Sequence, residues 1–199
     1  MKDKYDRYQT EYGETSAGGR EPCERDHDRI LYSSAFRRLS GVTQVASAQE
    51  GEVVHNRMIH SLKVGQISRR IAERLIRVEG CDSTVVDPSA AEAAGLAHDL
   101  GHPPFGHVGE QTLHECLTSL NADDEGFEGN AQSFRVINTL TLRGPHQNAL
   151  NLTRRTLGGV LKYPYLKTHA QCRKWGAYGH ELGVFKWARG TLPSKEQTI

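Results

Sequence analysis

The longest regular pattern in the chain runs from His60 to Val78. His60, Val64, Ile67, Ile71, Leu75 and Val78 follow one another at steps of four, three, four, four and three. That is the period of one face of an α-helix. The spacing therefore predicts a helix from about Asn56 to Glu79 with this stripe turned to the core, and Gly80 is a natural residue to follow its end. The only β-like signal is Val42, Val45, Val53 and Val54, which reads as a loop or a short ribbon. With no strand series and no internal repeat, the expected fold class is all-α.

Shorter helices fit the same picture. Ile30, Leu31, Ala35, Phe36 and Leu39 recur near helical spacing from Asp26 onward, and Gly41 ends that run. A helix opening at Asp87-Pro88-Ser89 has proline at its first position and a Ser89–Glu92 pair spaced as a capping box. Its Ala90, Ala91, Ala93, Ala94 and Ala97 permit close packing on the helix that carries His60. Further helices are expected through Val108, Thr112, Leu113 and Leu117, through Phe134, Ile137 and Leu140 with Asn130 as N-cap, and through Leu157, Val160 and Leu161. Residues 1–24 hold Gly13, Gly18, Gly19 and Pro22 among few apolar side chains, and are expected to be a flexible N-terminal segment.

At 199 residues the chain suits one domain with extensions. An apolar fraction of 37% and a net charge of +1 give no bulk argument for nucleic acid or a membrane surface. No apolar run approaches the ~18 residues that span a bilayer, and Met1 to Arg29 lacks the apolar stretch of a signal peptide. Cys23, Cys81, Cys116 and Cys172 form no C-x-x-C pair and read as free thiols, so a reducing, cytoplasmic setting is expected. Arg25, Arg29, Arg37, Arg38 and Arg57 crowd the first third, which suits either a polyanionic ligand or an ordinary charged helix face.

The chemistry concentrates between His98 and His107. Three histidines and an aspartate, His98, Asp99, His102 and His107, fall within ten positions. Neutral imidazole and ionised carboxylate are the common ligands of a hydrolytic divalent metal. Neighbours such as His98 and Asp99 cannot point the same way along a regular helix. They can share an ion where the helix stops, and Gly101 with Pro103-Pro104 stops it. Histidines also cluster on solvated loops without function, and a histidine in line with a core stripe, as His60 is, ordinarily serves packing.

Three separated stretches resemble one family, the HD-domain deoxynucleoside triphosphate triphosphohydrolases, or dGTPase-like proteins. The first reads HD-x-GH-x-PFGH-x-GE, from His98-Asp99 to Gly109-Glu110. The second is Asp28-Arg29-Ile30 through Ala35-Phe36-Arg37-Arg38-Leu39, followed by Thr43-Gln44-Val45. The third is Phe127-Glu128-Gly129-Asn130-Ala131-Gln132. Looser matches follow at Asn151-Leu152-Thr153, at Lys162-Tyr163-Pro164 and at Lys174 to Tyr178, where the family closes over the triphosphate. The resemblance covers roughly residues 25–185 and implies an all-α HD-domain helical bundle over 25–199.

That resemblance implies metal ligands at His60, His98 and Asp99, with Mg²⁺ or Mn²⁺ as candidate ions. It implies proton transfer by His102, positioned by Glu128, with His107 as a further catalytic candidate. Arg57 and then Arg38 are the implied phosphate contacts, and Gln44 the implied contact to a deoxyribose. The implied reaction is attack at the α-phosphorus of a deoxynucleoside triphosphate, releasing deoxynucleoside and inorganic triphosphate, and the implied assembly is a homo-oligomer. One feature departs from the pattern. The family has a fourth metal ligand, an aspartate, and no aspartate follows Asp124 here. The domain is thus expected to be C-terminally incomplete, to hold metal poorly and to be partly open or self-associating. Two alternatives stand beside the main reading: a catalytically impaired nucleotide-binding module, and an HD phosphohydrolase acting on another nucleotide phosphoester.

Overall fold

The structure, a computed structural model, describes residues 4–9, 19–42, 56–120, 125–144, 147–167 and 172–190. It is mostly helical. Helix α1 spans Pro22–Leu31, α2 spans Ser34–Arg38, α3 spans Arg57–Arg77 and α4 spans Pro88–Ala97. Then come α5 over Gly106–Ser119, α6 over Gly129–Arg135, α7 over Arg154–Val160 and α8 over Leu182–Arg189. A two-stranded antiparallel ribbon, β1 (Leu142–Gly144) with β2 (Gln147–Asn148), joins α6 to α7. The β-like signal around Val45 and Val53 lies outside the described residues.

Helix α4 is the central element. It packs against α3, α1 and α7, which explains its composition: an element covered on three sides leaves room for little more than methyl groups. Ala93 and Ala97 are completely buried, and Leu96 joins Ile30, Phe36, Leu39, Phe134, Ile137, Leu150, Leu152, Leu157 and Phe185 in one apolar core. The helix starts on Asp87, whose carboxylate accepts from the Ser89 and Ala90 amides. That corrects the expected Ser89–Glu92 capping box. Glu92 instead binds Arg69 at 2.9 Å and ties α4 to α3.

Helix α3 corrects the sequence reading more deeply. Its buried residues are Arg57, Ser61, Gly65 and Ala72. The apolar stripe lies roughly a quarter turn round the helix, at 100° per residue, and is largely exposed: Ile67, Ile71 and Val78 each keep more than half their surface in water. The reason is the α3–α4 crossing. A Cβ on Gly95 would stand 2.8 Å from the Gly65 Cα, so the two backbones touch through paired glycines. Small residues set the face that can approach this closely, and hydrophobicity does not choose it.

Helix α1 begins at Pro22, a turn earlier than the sequence suggests, with a Glu21–Glu24 capping box. Residues 4–9 lie beside the start of α7. Arg7 pairs with the fully buried Asp26 at 2.6 Å, and Asp26 also accepts from the Thr153 amide and hydroxyl. None of the described helices is long and apolar enough to cross a membrane.

Candidate active site

Two helices and one turn assemble the site. His60 stands one turn inside α3, whose N-cap is Asn56. His98 is the C-cap residue of α4. The chain then tightens, with Leu100 N–H donating to Ala97 O and His102 N–H to Asp99 O. That tightening turns Asp99 toward His98, which a continuing helix would forbid. Ligand atoms of His60, His98 and Asp99 all lie within 4.8 Å of one another. The His60 and His98 rings meet edge-on at 5.2 Å between centroids.

This cluster fits a divalent cation by the chemistry of its donors. His98 Nδ1 donates to Gly95 O at 2.7 Å, the hydrogen bond that sets the tautomer and leaves the Nε2 lone pair facing the cluster, 3.3 Å from Asp99 Oδ1. Burial, then the neighbouring His98, lowers the pKa of His60 and favours the neutral, ligating imidazole. Burial alone would raise Asp99, but His98, His102 and Arg57 together outweigh it and hold the carboxyl below its usual range. Two imidazoles and one carboxylate are a donor set for borderline or hard divalent ions.

Gly101 is required by the approach of α6 to this turn. Its amide donates to Ser133 Oγ at 2.9 Å, and a Cβ there would run into the backbone at Gln132 and Ser133. The Ser133 hydroxyl lies 3.1 Å from His98 O. One serine thus ties the end of α4 to α6.

Arg57 sits behind the cluster and is almost completely buried. Its guanidinium donates to Asp99 Oδ2 at 2.7 Å and to Pro103 O at 3.2 Å. In this geometry it orients Asp99, the proposed ligand, and its donors are turned inward. His102 approaches Asp99 Oδ1 with Nδ1 at 3.4 Å without making a hydrogen bond, and that buried nitrogen has no hydrogen-bond partner among the described residues. Its ring packs on Gly129, where a Cβ would come within 2.7 Å. Burial lowers the pKa of His102.

His107 opens the first turn of α5 and its side chain is 91% exposed, with Nδ1 3.4 Å from Glu110 Oε2. Glu110 is buried. It accepts from Lys174 Nζ at 2.8 Å and from the Gly129 amide at 3.2 Å. Burial pushes Glu110 up, but Lys174 and the Gly129 amide outweigh it, and the net direction is down. Lys174 also reaches Glu128 at 3.2 Å, and its own pKa is raised, the two carboxylates overcoming burial. Glu128 is completely buried and is the N-cap of α6, accepting from Ala131 N–H at 2.8 Å and Asn130 Nδ2 at 2.7 Å. Asn130, expected as the cap, serves the capping residue instead. Burial raises the pKa of Glu128 despite these donors.

The structure therefore brings His60, His98, Asp99, His102 and Arg57 into one cluster, with His107 and Glu128 joined to its edge through Glu110 and Lys174. Glu128 makes no hydrogen bond to His102. Gly129, the next residue, provides the contact between them. Arg38 does not join that cluster; it lines a cavity whose wall also includes His102, and Gln44 lies outside the described residues. Sequence reasoning placed Glu110 and Lys174 within matched stretches but gave neither a role of its own. Glu110 had a signal, since it follows His107 by three on one helix. Lys174 stood in a loosely matched stretch, but its pairing was not readable, because its carboxylate partner is 64 residues away.

The sequence has known relatives. The family model described as "HD domain" matches residues 57–156, half of the chain, and the chain belongs to the HD domain family. Among curated proteins it is similar to three named "Deoxyguanosinetriphosphate triphosphohydrolase-like protein". The relative from Rhodopseudomonas palustris (strain BisB18) is 41% identical over 89% of this chain and 42% of its own length. The one from Caulobacter sp. (strain K31) is 43% identical over 89% and 43%, and the one from Streptomyces coelicolor 42% identical over 88% and 41%. The chain thus spans about two-fifths of the length of these relatives.

Proposed function

We propose that this chain carries the catalytic centre of a metal-dependent phosphohydrolase that converts a deoxynucleoside triphosphate and water to a deoxynucleoside and inorganic triphosphate. The observation that carries the reading is the His60–His98–Asp99 donor cluster, with His102 beside Asp99 and packed on Gly129, whose amide donates to the Glu110 that faces His107. His60, His98 and Asp99 would hold the ion. A divalent cation bound there supplies Lewis acidity and a lowered pKa for water.

The chain's own groups supply the rest. Arg57, donating to Asp99 Oδ2 at 2.7 Å, fixes the orientation of that second oxygen. Glu110, held as a carboxylate by Lys174, lies 3.4 Å from His107 Nδ1 and would orient that exposed ring for proton transfer through Nε2. A water oxygen forms the new bond to the α-phosphorus, the bond to the 5′ oxygen breaks, and His107 passes its proton to that leaving oxygen. His102, kept neutral by burial beside the same turn, is the second proton-transfer candidate. Lys174 and the exposed Arg173 line the cavity of about 540 Å³ that also holds His107 and Glu110, a basic wall suited to polyphosphate.

The test is release of inorganic tripolyphosphate from each deoxynucleoside triphosphate with Mg²⁺ or Mn²⁺ present. Tripolyphosphate that disappears in His98→Ala and in His107→Ala is the expected result. Turnover of nucleoside monophosphates or cyclic nucleotides instead would assign another phosphoester substrate to the same centre. Nucleotide binding without any turnover would make it a binding module.

A further inference from the structure

The turn that presents His98 and Asp99 has a second surface. From Leu100 to Pro104 it forms one wall of a cavity of about 580 Å³, which His102 also lines but none of the three metal donors does. That volume is in the range of small-molecule sites, ~300–1,000 Å³. The facing walls are apolar and wet. Leu113 and Leu140 are 40% and 54% exposed and both border the cavity, beside Phe127 and Pro104. Such surface favours an occupant that removes it from water.

One side of the cavity is irregular backbone. Val136–Leu140 forms a π-helical turn, closed by the Thr141 amide donating to Val136 O at 3.0 Å. Widened turns of this kind cost helical regularity and are frequent where a chain shapes a site. The polar lining is sparse. Among the described residues Arg38 is the only lysine or arginine on it, and it makes no hydrogen bond or ion pair with any of them. The Gln132 side chain, also on the lining, is likewise without a partner among the described residues.

We propose that this cavity is a second ligand site, taking a small organic molecule with a flat apolar body and a single anionic group, a carboxylate or a phosphate monoester. The flat body lies against Phe127, Pro104 and Leu140. The anion meets the Arg38 fork, which suits two oxygens at once. A triphosphate does not match, because one guanidinium among the described residues faces it. The inference stands on the cavity and does not depend on the reaction proposed above.

Titration calorimetry on the full chain tests it with three probes: 1-naphthoate, deoxyguanosine 5′-monophosphate and the neutral 1-naphthamide. One-to-one binding of either anion is expected, naphthoate alone marking a carboxylate site and the monophosphate alone a phosphate site. 1-Naphthamide should bind about tenfold more weakly than naphthoate, the worth of one charge-assisted hydrogen bond. Arg38→Gln should weaken the anion by the same factor. Leu140→Trp, at a position already more than half exposed, should fill the cavity and abolish binding while metal-dependent stabilisation at the His60 cluster is retained. The proposal is overturned if neither anion binds saturably, if 1-naphthamide binds as well as naphthoate, or if both variants bind like the parent chain.

Discussion

Gly101→Ala offers the sharpest test of how the site is held. The added methyl would stand 2.8 Å from Gln132 Cβ and closer still to the backbone at Gln132 and Ser133. Backbone cannot rotate away as a side-chain tip can, so α6 must move off the turn. Forced overpacking costs about 1–3 kcal/mol, and a backbone obstacle belongs at the upper end. The shift also breaks the hydrogen bond from Gly101 N–H to Ser133 Oγ, leaving a buried donor unpaired at about 1–3 kcal/mol. The two costs overlap, and the expected loss is about 3–5 kcal/mol. That is a large share of the ~5–15 kcal/mol that holds a domain folded. Urea unfolding followed by circular dichroism measures it. Ser133→Ala removes the hydrogen bond without the clash and should lose about 1–3 kcal/mol. Gly41→Ala, where an added Cβ meets nothing within 4 Å, should stay within about 0.5 kcal/mol of the parent. A loss below about 1 kcal/mol for Gly101→Ala would show that α6 does not press on the turn as described.

Asp99→Asn should cost about 3–5 kcal/mol, because it strands the buried Arg57 guanidinium without its carboxylate. The same denaturation experiment reads it, and Asp99→Asn with Arg57→Met should recover part of the loss. Glu110 has its pKa lowered in the folded chain, so its contribution is present above the unfolded value, about 4.3, and fades as pH falls through the folded value. Glu110→Gln should therefore flatten the acid limb of a stability-versus-pH curve below about pH 4.5; an unchanged limb would remove the Glu110–Lys174 pair from the account. Glu128, whose pKa is raised, has the opposite sign: its contribution is full below the unfolded value and is lost as pH rises through the folded one. On α3, Ile71→Lys should change stability by no more than about 0.5 kcal/mol, whereas Gly65→Leu should be severely destabilising, since the face that packs on α4 is the small-residue one.

Much of the local structure was legible in the residues themselves. Period-four spacing marks α3, proline at a first position marks α4, and Gly101 with Pro103-Pro104 marks where α4 must stop. The three donors were also readable, because a short motif keeps His98 and Asp99 adjacent and the resemblance supplies His60. These are local properties, encoded within a few residues of where they act.

What the tertiary structure decided is everything that depends on which surfaces meet. Hydrophobicity pointed to the Ile67–Val78 stripe as the packed face of α3, yet the glycines at positions 65 and 95 let the backbones touch, and contact followed the closer approach. Arg57 reads as a free phosphate ligand until the fold places Asp99 at 2.7 Å and Pro103 O at 3.2 Å from its guanidinium. Glu110, Lys174 and Glu128 become one network only because α5, α6 and the segment before α8 converge, joining residues 64 positions apart. A residue's type and spacing determine which helix it joins and which chemistry it can offer. Distance between elements, set by how closely their smallest residues allow them to pack, determines what that chemistry faces.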